Sequence, residues 1–141
     1  MISSKNFFLS VGFPFFGVAA NMADAYARVK GELGVCVGTV GPGGANLVPG
    51  VYPAWADGVP LVVLTAQNQT WRSYLDHGSM QALDHYNLFK PITKWNAVVS
   101  QWERIPKLVQ HAFRVATSGR QARAFRSALR RSVQWEGVRK R

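Results

Sequence analysis

A glycine-rich segment is the first feature of this sequence whose residue types could do chemistry. Residues 38–46 have the sequence Gly-Thr-Val-Gly-Pro-Gly-Gly-Ala-Asn and connect an apolar run to a segment of helical character. Backbone N–H groups at a helix start favour anions, and glycines let a ligand approach the main chain closely. The segment lacks the Lys-Ser or Lys-Thr of a Walker loop, and Asn46 stands where a dinucleotide fingerprint needs glycine. It therefore predicts either a ligand-binding turn of another kind or a plain tight turn that requires positive φ.

Residues that could bind a metal or act as a nucleophile give weaker signals of a functional site than this turn does. His77 and His85 each follow an aspartate and lie eight positions apart, which permits a metal site but is more typical of polar loop residues. Cys36 is the single cysteine, so it cannot form an internal disulfide, and no Cys/His spacing indicates zinc. We therefore predict no metal site and a reducing, cytoplasmic compartment.

The elements that must hold the glycine-rich turn alternate between helix and strand. Apolar residues recur at helical spacing in 18–30 and again from Ile105 to Ala116, and a third helix is predicted from about 45 to 56. Pro49 and Pro53 are expected to bend or interrupt that third helix, because proline cannot donate a backbone hydrogen bond.

Three short apolar runs predict buried parallel strands, at 34–40, 60–66 and 92–99. Residues 67–89 show no clear period and predict an irregular, functional segment. The alternation of strands and helices predicts an α/β fold with a parallel sheet flanked by helices. Three strands are few for such a sheet, so we expect part of it to be missing.

Composition and charge narrow the class of protein. The chain has 141 residues, the length of a single domain, and its 48% hydrophobic and 17% charged residues exclude a mainly disordered chain. Its net charge of +10 is uneven, because residues 119–141 hold eight basic side chains and only Glu136 as an acid. A basic module that binds nucleic acid or an acidic membrane is therefore an alternative function. The scattered tryptophans form no stacking platform for bases, so no specific nucleic acid is predicted.

The basic tail itself has the pattern of an amphipathic helix. Ala122, Phe125, Leu129 and Val133 form a narrow apolar stripe with arginines around it. The alternative is a solvated extension without a fixed structure.

The N-terminal residues 1–16 form an atypical apolar leader. Their cationic start and apolar run imitate a secretory signal, and a secreted domain is one alternative. The charge-free run continues directly into the 18–30 helix, which favours a segment packed inside the domain. No membrane span is predicted, because this run is short and contains Gly12, Pro14 and Gly17.

Three ordered motifs carry a resemblance to a known family. They are Met-Ala-Asp-Ala-Tyr-Ala-Arg at 22–28, the glycine-rich segment within 34–47, and Asp-Gly-Val-Pro at 57–60 leading to Gln67. Together they resemble the N-terminal pyrimidine-binding (PYR) domain of thiamine diphosphate-dependent enzymes, with acetolactate synthase large subunits and related 2-oxo-acid decarboxylases as the closest group. Gln81, the Lys-Pro-Ile-Thr-Lys-Trp motif at 90–95 and the 103–119 helix continue the resemblance in the same order.

The resemblance implies a thiamine diphosphate-binding fold of the PYR type and a role for individual residues. It implies that Pro42 and Asn46, with Gly41 and Gly43 of the same turn, lie beside the aminopyrimidine ring of thiamine diphosphate. It also implies that Gln81 faces the reacting carbon of the thiazolium ring and that Gln67 is a second site amide. The plain alternative is that both glutamines satisfy backbone groups of the loop.

Departures from the family pattern are equally informative. The family's His-Glu pair, whose glutamate protonates the pyrimidine, falls by spacing on Phe15 and Phe16, and phenyl rings transfer no proton. After residue 119 the family's Pro-Gly-Pro and final strand are replaced by Gln-Ala-Arg-Ala-Phe-Arg. We therefore divide the chain into the leader at 1–16, a PYR-like domain at 17–119 and a basic tail at 120–141. Ends changed by truncation or frameshift are one hypothesis for this pattern.

These observations predict a partial thiamine pyrophosphate-binding domain that supplies the pyrimidine side of the cofactor site. By resemblance, the complete enzyme is a carboligase or decarboxylase, in which Mg²⁺ and the diphosphate are held by a further domain and FAD is left open as a second cofactor. The implied partner is a second copy or a complementary diphosphate-binding domain. Alone, the chain is expected to be inactive.

Overall fold

The computed structural model describes residues 16–68, 79–118 and 123–130, the last of these by its backbone alone. Within these ranges the helices are α1 (Phe16–Lys30), α2 (Pro42–Ala45), α3 (Val48–Asp57), α4 (His85–Phe89) and α5 (Ile105–Thr117). The strands are β1 (Gly34–Gly38), β2 (Pro60–Gln67), β3 (Trp95–Val99) and β4 (Arg123–Arg130). Short 3₁₀ turns at Lys90–Ile92 and Trp102–Arg104 precede β3 and α5.

The four strands form one parallel sheet in the order β1-β2-β4-β3. The α/β fold with a parallel sheet flanked by helices is thereby confirmed, and each of the three predicted strands is present. The third is shorter than predicted, because residues 90–92 form a 3₁₀ turn and pairing begins only at Trp95.

Residues 123–130 form neither the solvated extension nor the amphipathic helix that the sequence offered for the basic tail. These residues form β4, which pairs along its length with β2 and, on its other side, with β3. Phe125 lies between Val62 and Trp95 in the register. Without β4, both neighbouring strands would expose backbone groups along one edge, so strand pairing outweighs the local helix propensity of Ala, Leu and Arg.

The helix predicted from about 45 to 56 is interrupted, as its prolines indicated. The break falls at residues 46 and 47, between α2 and α3, and Pro49 occupies the first turn of α3, where its missing N–H is not needed. Pro53 lies inside α3. Gly58 ends the helix with a left-handed φ of 88°, and the next residue, Val59, donates its N–H to Ala54 O.

Two apolar layers pack on opposite faces of the sheet. Alternate residues of β2 divide between them: Leu61 and Val63 face a core with α1 and α3, while Val62 packs with Ala112 and Ala116 of α5. The alanines on the buried stripe of α1 let this helix approach β1 closely, and a Cβ on Gly34 would lie 2.3 Å from Ala23 O. The core therefore fixes α1 relative to the amino end of β1.

Burial makes the Cys36 thiol unreactive. Cys36 is 1% exposed within β1, and desolvation raises the pKa of its thiol from 9.0 to about 12. A higher folded-state pKa means that, above about pH 9, the unfolded chain loses this proton first, so native stability falls as pH rises there.

We expect an aromatic disulfide reagent at pH 8 to react with native Cys36 about a thousandfold more slowly than with the chain in denaturant, since each pKa unit changes the thiolate fraction tenfold. The absorbance of the released thiolate follows both reactions. Equal rates in the two states would show that β1 does not bury this side chain.

The leader at residues 1–15, with Phe15, and the His77 prediction lie outside the described residues. None of the helices in the described ranges has the length and apolar character to cross a membrane.

Candidate functional site

The glycine-rich turn and the segment before α4 meet at one edge of the sheet. The turn follows β1, and residues 79–84 lie between β2 and α4. Because the strands are parallel, their carboxyl ends share an edge, which is where open α/β sheets bind ligands. Both segments contain predicted site residues, so the distance between the two segments decides whether these residues can form one site.

Gly41 is the point of closest approach. Its φ of 59° is left-handed, and a Cβ there would lie 2.8 Å from both Gln81 Cα and Met80 O. Only glycine accommodates the conformation and the contact together. The structure thus brings together two of the predicted site residues, Gly41 and Gln81, from opposite sides of the site.

Three of the predicted site residues lie at the surface beside this contact. Pro42, Asn46 and Gln81 are exposed, whereas Gly41 and Gly43 are buried. The turn is held internally, because Gly44 N and Ala45 N both donate to Gly41 O at 3.1 Å and Asn46 N donates to Pro42 O at 2.9 Å. The turn is therefore held by its own backbone hydrogen bonds, and the exposed residues Asn46 and Gln81 lie on the two segments that meet at Gly41.

Gln67 reaches the same segment but is buried. It is 2% exposed, and its Nε2 donates to Leu83 O at 3.0 Å. The next residue, Asn68, donates from Nδ2 to Ser79 Oγ at 3.1 Å. These contacts match the alternative in which Gln67 satisfies a backbone group of the loop, and its catalytic role stays a prediction.

His85 is the residue whose importance sequence reasoning missed. The sequence predicts a polar loop residue at this position, yet His85 is fully buried, with Nε2 2.9 Å from Gly41 O and Nδ1 3.0 Å from Ala66 O. Asp84 caps α4 by accepting from Asn87 N at 3.1 Å, so the Asp-His pair is a helix start. This Asp-x-x-Asn spacing was the available signal that His85 begins a helix. No group of three or more potential metal ligands occurs among the described residues.

The amino end of α1 lies next to the turn. A Cβ on Gly17 would lie 3.1 Å from Asn46 O, so the backbone at residues 16 and 17 borders the residue predicted to contact the pyrimidine. Phe16, the position that the resemblance matches to the family's glutamate, directly precedes Gly17 in α1.

Comparison with known proteins agrees with this arrangement. The family model described as thiamine pyrophosphate enzyme, N-terminal TPP binding domain, matches residues 9–88. Over 102 residues, 72% of this chain, it is 45% identical to a probable acetolactate synthase large subunit of Methanocaldococcus jannaschii, covering 17% of that protein. Over the same length it is 41% identical to the mitochondrial acetolactate synthase catalytic subunit of Saccharomyces cerevisiae, covering 15% of it.

A third relative, the acetolactate synthase isozyme 3 large subunit of Escherichia coli, is 40% identical over 102 residues and is covered to 17% of its length. The chain thus spans about one sixth of the length of the curated relatives it matches. The family match covers more than half of the chain and includes α1, the glycine-rich turn and the Gln81 segment. The chain therefore belongs to the family of thiamine pyrophosphate enzyme N-terminal TPP-binding domains.

Proposed function

We propose that this chain supplies the pyrimidine-side half of a thiamine diphosphate site in an acetolactate synthase-like enzyme. The observation that carries the proposal is the close approach of Gly41 to the Gln81 segment, which brings together the two segments that carry the exposed residues Asn46 and Gln81. Family membership supplies the cofactor class.

The chemistry of these residues fits an aminopyrimidine ring. The ring presents a donating amino group and accepting nitrogens, and the amides of Asn46 and Gln81 each donate and accept. The exposed Pro42 offers an apolar edge for the ring. When bound, thiamine diphosphate supplies a nucleophilic thiazolium carbon, and this chain's residues bind and orient the other end of the molecule.

We further propose that the chain is catalytically silent on its own. The family position for the proton-donating glutamate is Phe16, at the start of α1, and a phenyl ring cannot exchange a proton with the pyrimidine. Diphosphate and Mg²⁺ would be held by a complementary domain, in a second copy or a separate chain, and FAD is left open. Decarboxylation or carboligation of a 2-oxo acid would then require that partner.

Titration with thiamine, observed by ¹⁵N-resolved NMR, tests the half-site. A half-site that holds one small ring is expected to bind in the millimolar range, about −4 kcal/mol. We expect the amide signals of Gly43, Asn46 and Gln81 to move, and the isolated thiazole alcohol to leave them unmoved. Shifts confined to other parts of the chain, or acetolactate formed from pyruvate by the chain alone, would contradict the proposal.

The same titration with the variant Phe16→Glu tests whether position 16 lies beside the pyrimidine. A carboxyl at this position can hydrogen-bond a pyrimidine nitrogen, and a charge-assisted bond contributes about 1.5–3 kcal/mol. We therefore expect thiamine to bind at least about tenfold more tightly than to the unchanged chain. Phe16→Gln, which keeps the size but not the acid, is the matched control and is expected to gain less.

A further inference from the structure

The buried ring of His85 touches both segments that meet at the site. Nε2 lies 2.9 Å from Gly41 O, in the glycine-rich turn, and Nδ1 lies 3.0 Å from Ala66 O, near the carboxyl end of β2. Carbonyl oxygens only accept, so each contact is a hydrogen bond when that ring nitrogen carries a proton: a singly protonated imidazole donates to one of the two oxygens, and an imidazolium donates to both. A fully buried imidazole with partners on two separate elements fixes the distance between them.

The ring of His85 packs directly against Gly44. A Cβ on Gly44 would lie 2.6 Å from His85 Nε2 and 2.7 Å from Cε1, so the imidazole rests directly on the backbone of α2. Glycine at position 44 is what admits the ring. The Gly41 carbonyl also accepts from Gly44 N and Ala45 N, so the ring acts at the same oxygen that organises the start of α2.

A second tie runs between the same elements in the opposite direction. Gln67, at the end of β2, donates to Leu83 O, while His85 reaches back to Ala66 O. With Asn68 bound to Ser79 Oγ, the backbone on both sides of Gln81 is attached to the end of β2. The contact to Gly41 then sets where the glycine-rich turn lies relative to that attached segment.

We propose that His85 is a positioning residue of the pyrimidine-side site, whose imidazole bridges the Gly41 and Ala66 carbonyl oxygens and so holds the turn with Pro42 and Asn46 against the Gln81 segment. This rests on the proposed function for the identity of the ligand, and the bridge itself rests on the structure alone.

Amide hydrogen exchange tests the bridge without any ligand. In His85→Leu, which keeps the approximate volume but has no donor, we expect the amides of Gly44 and Ala45 to exchange about tenfold faster relative to Val63 of β2. His85→Gln, whose amide nitrogen carries two hydrogens, is expected to restore most of the protection. His111→Leu, at an exposed histidine of α5, is the matched control and should leave both amides unchanged.

Binding of thiamine gives the positioning readout. The leucine variant is expected to lose at least about tenfold in affinity, and the glutamine variant to stay within about threefold of the unchanged chain. A leucine variant that keeps both protection and affinity would overturn the proposal, as would a glutamine variant that fails to recover either.

Two further outcomes separate the causes. If His85→Leu does not fold, amide exchange is measured in the unchanged chain. Gly44 and Ala45 amides that exchange there at unprotected rates would overturn the proposal, because the turn would then not be fixed. If the unchanged chain shows protected amides but binds no thiamine, the proposed function fails while the bridge stands.

Discussion

Replacing Ser127 with proline is expected to destabilise the domain strongly, by at least about 1–3 kcal/mol. Ser127 is in the middle of β4, paired with Leu64 on one side and Ala97 on the other. Proline removes a backbone N–H from a ladder that has a strand on each side and puts its ring where the neighbouring strand must approach. An unpaired buried acceptor costs about 1–3 kcal/mol, against a total stability of about 5–15 kcal/mol for a domain.

Urea denaturation followed by circular dichroism measures this effect, with Ser127→Ala as the matched control. Alanine removes the hydroxyl but keeps the N–H, so the free energy of unfolding of this variant should stay within about 0.5 kcal/mol of that of the unchanged chain. If proline and alanine behave alike, residues 123–130 are not an inner strand of the native sheet.

The same strand changes how the basic tail must be tested. A chain cut after residue 119 loses β4, so the sheet separates between β2 and β3. Loss of nucleic-acid or membrane binding in such a truncated chain would therefore report unfolding. Arg139, Lys140 and Arg141 lie beyond β4 in the sequence, and replacing these with glutamine tests the charge while keeping the strand.

The elements that sequence reasoning predicted correctly are those with one dominant local signal. The α5 helix has apolar residues at sustained helical spacing, and β1 and β2 are short apolar runs bounded by glycine or proline. β4 has no such signal, because Ala, Leu and Arg favour helices and its apolar residues suit either period. Its state is decided by the open edges of β2 and β3, which are distant in sequence.

The site shows the same division between local and distant causes. A turn at Gly41 follows from its glycines and proline, and the family motif indicates Gln81. The burial of His85 could not be predicted, because it depends on Gly44 having no side chain and on the Ala66 carbonyl meeting the ring across the sheet edge. Gln67 is similar, since its contact with Leu83 O joins residues sixteen positions apart.

Replacing Gly41 with alanine is expected to be the most damaging change within the site. Two costs add at this position: the left-handed φ of 59°, and a Cβ placed 2.8 Å from two backbone atoms of the Gln81 segment. The first, in which ψ is −122°, costs about 1–3 kcal/mol, and the second, as overpacking against backbone, costs about 1–3 kcal/mol more. Because the clash pushes the turn away from Gln81, thiamine binding should be lost together with stability.

Gly31→Ala separates these two costs. Gly31 has a similar φ of 67°, but a Cβ there would meet nothing within 4 Å, so this variant carries the conformational cost alone. We expect it to unfold at a urea concentration between those of the unchanged chain and Gly41→Ala, and to bind thiamine normally. If the two variants are equally destabilised and both bind thiamine, position 41 requires glycine only for the backbone conformation of the turn. The contact of Gly41 with the Gln81 segment would then not be needed for the site.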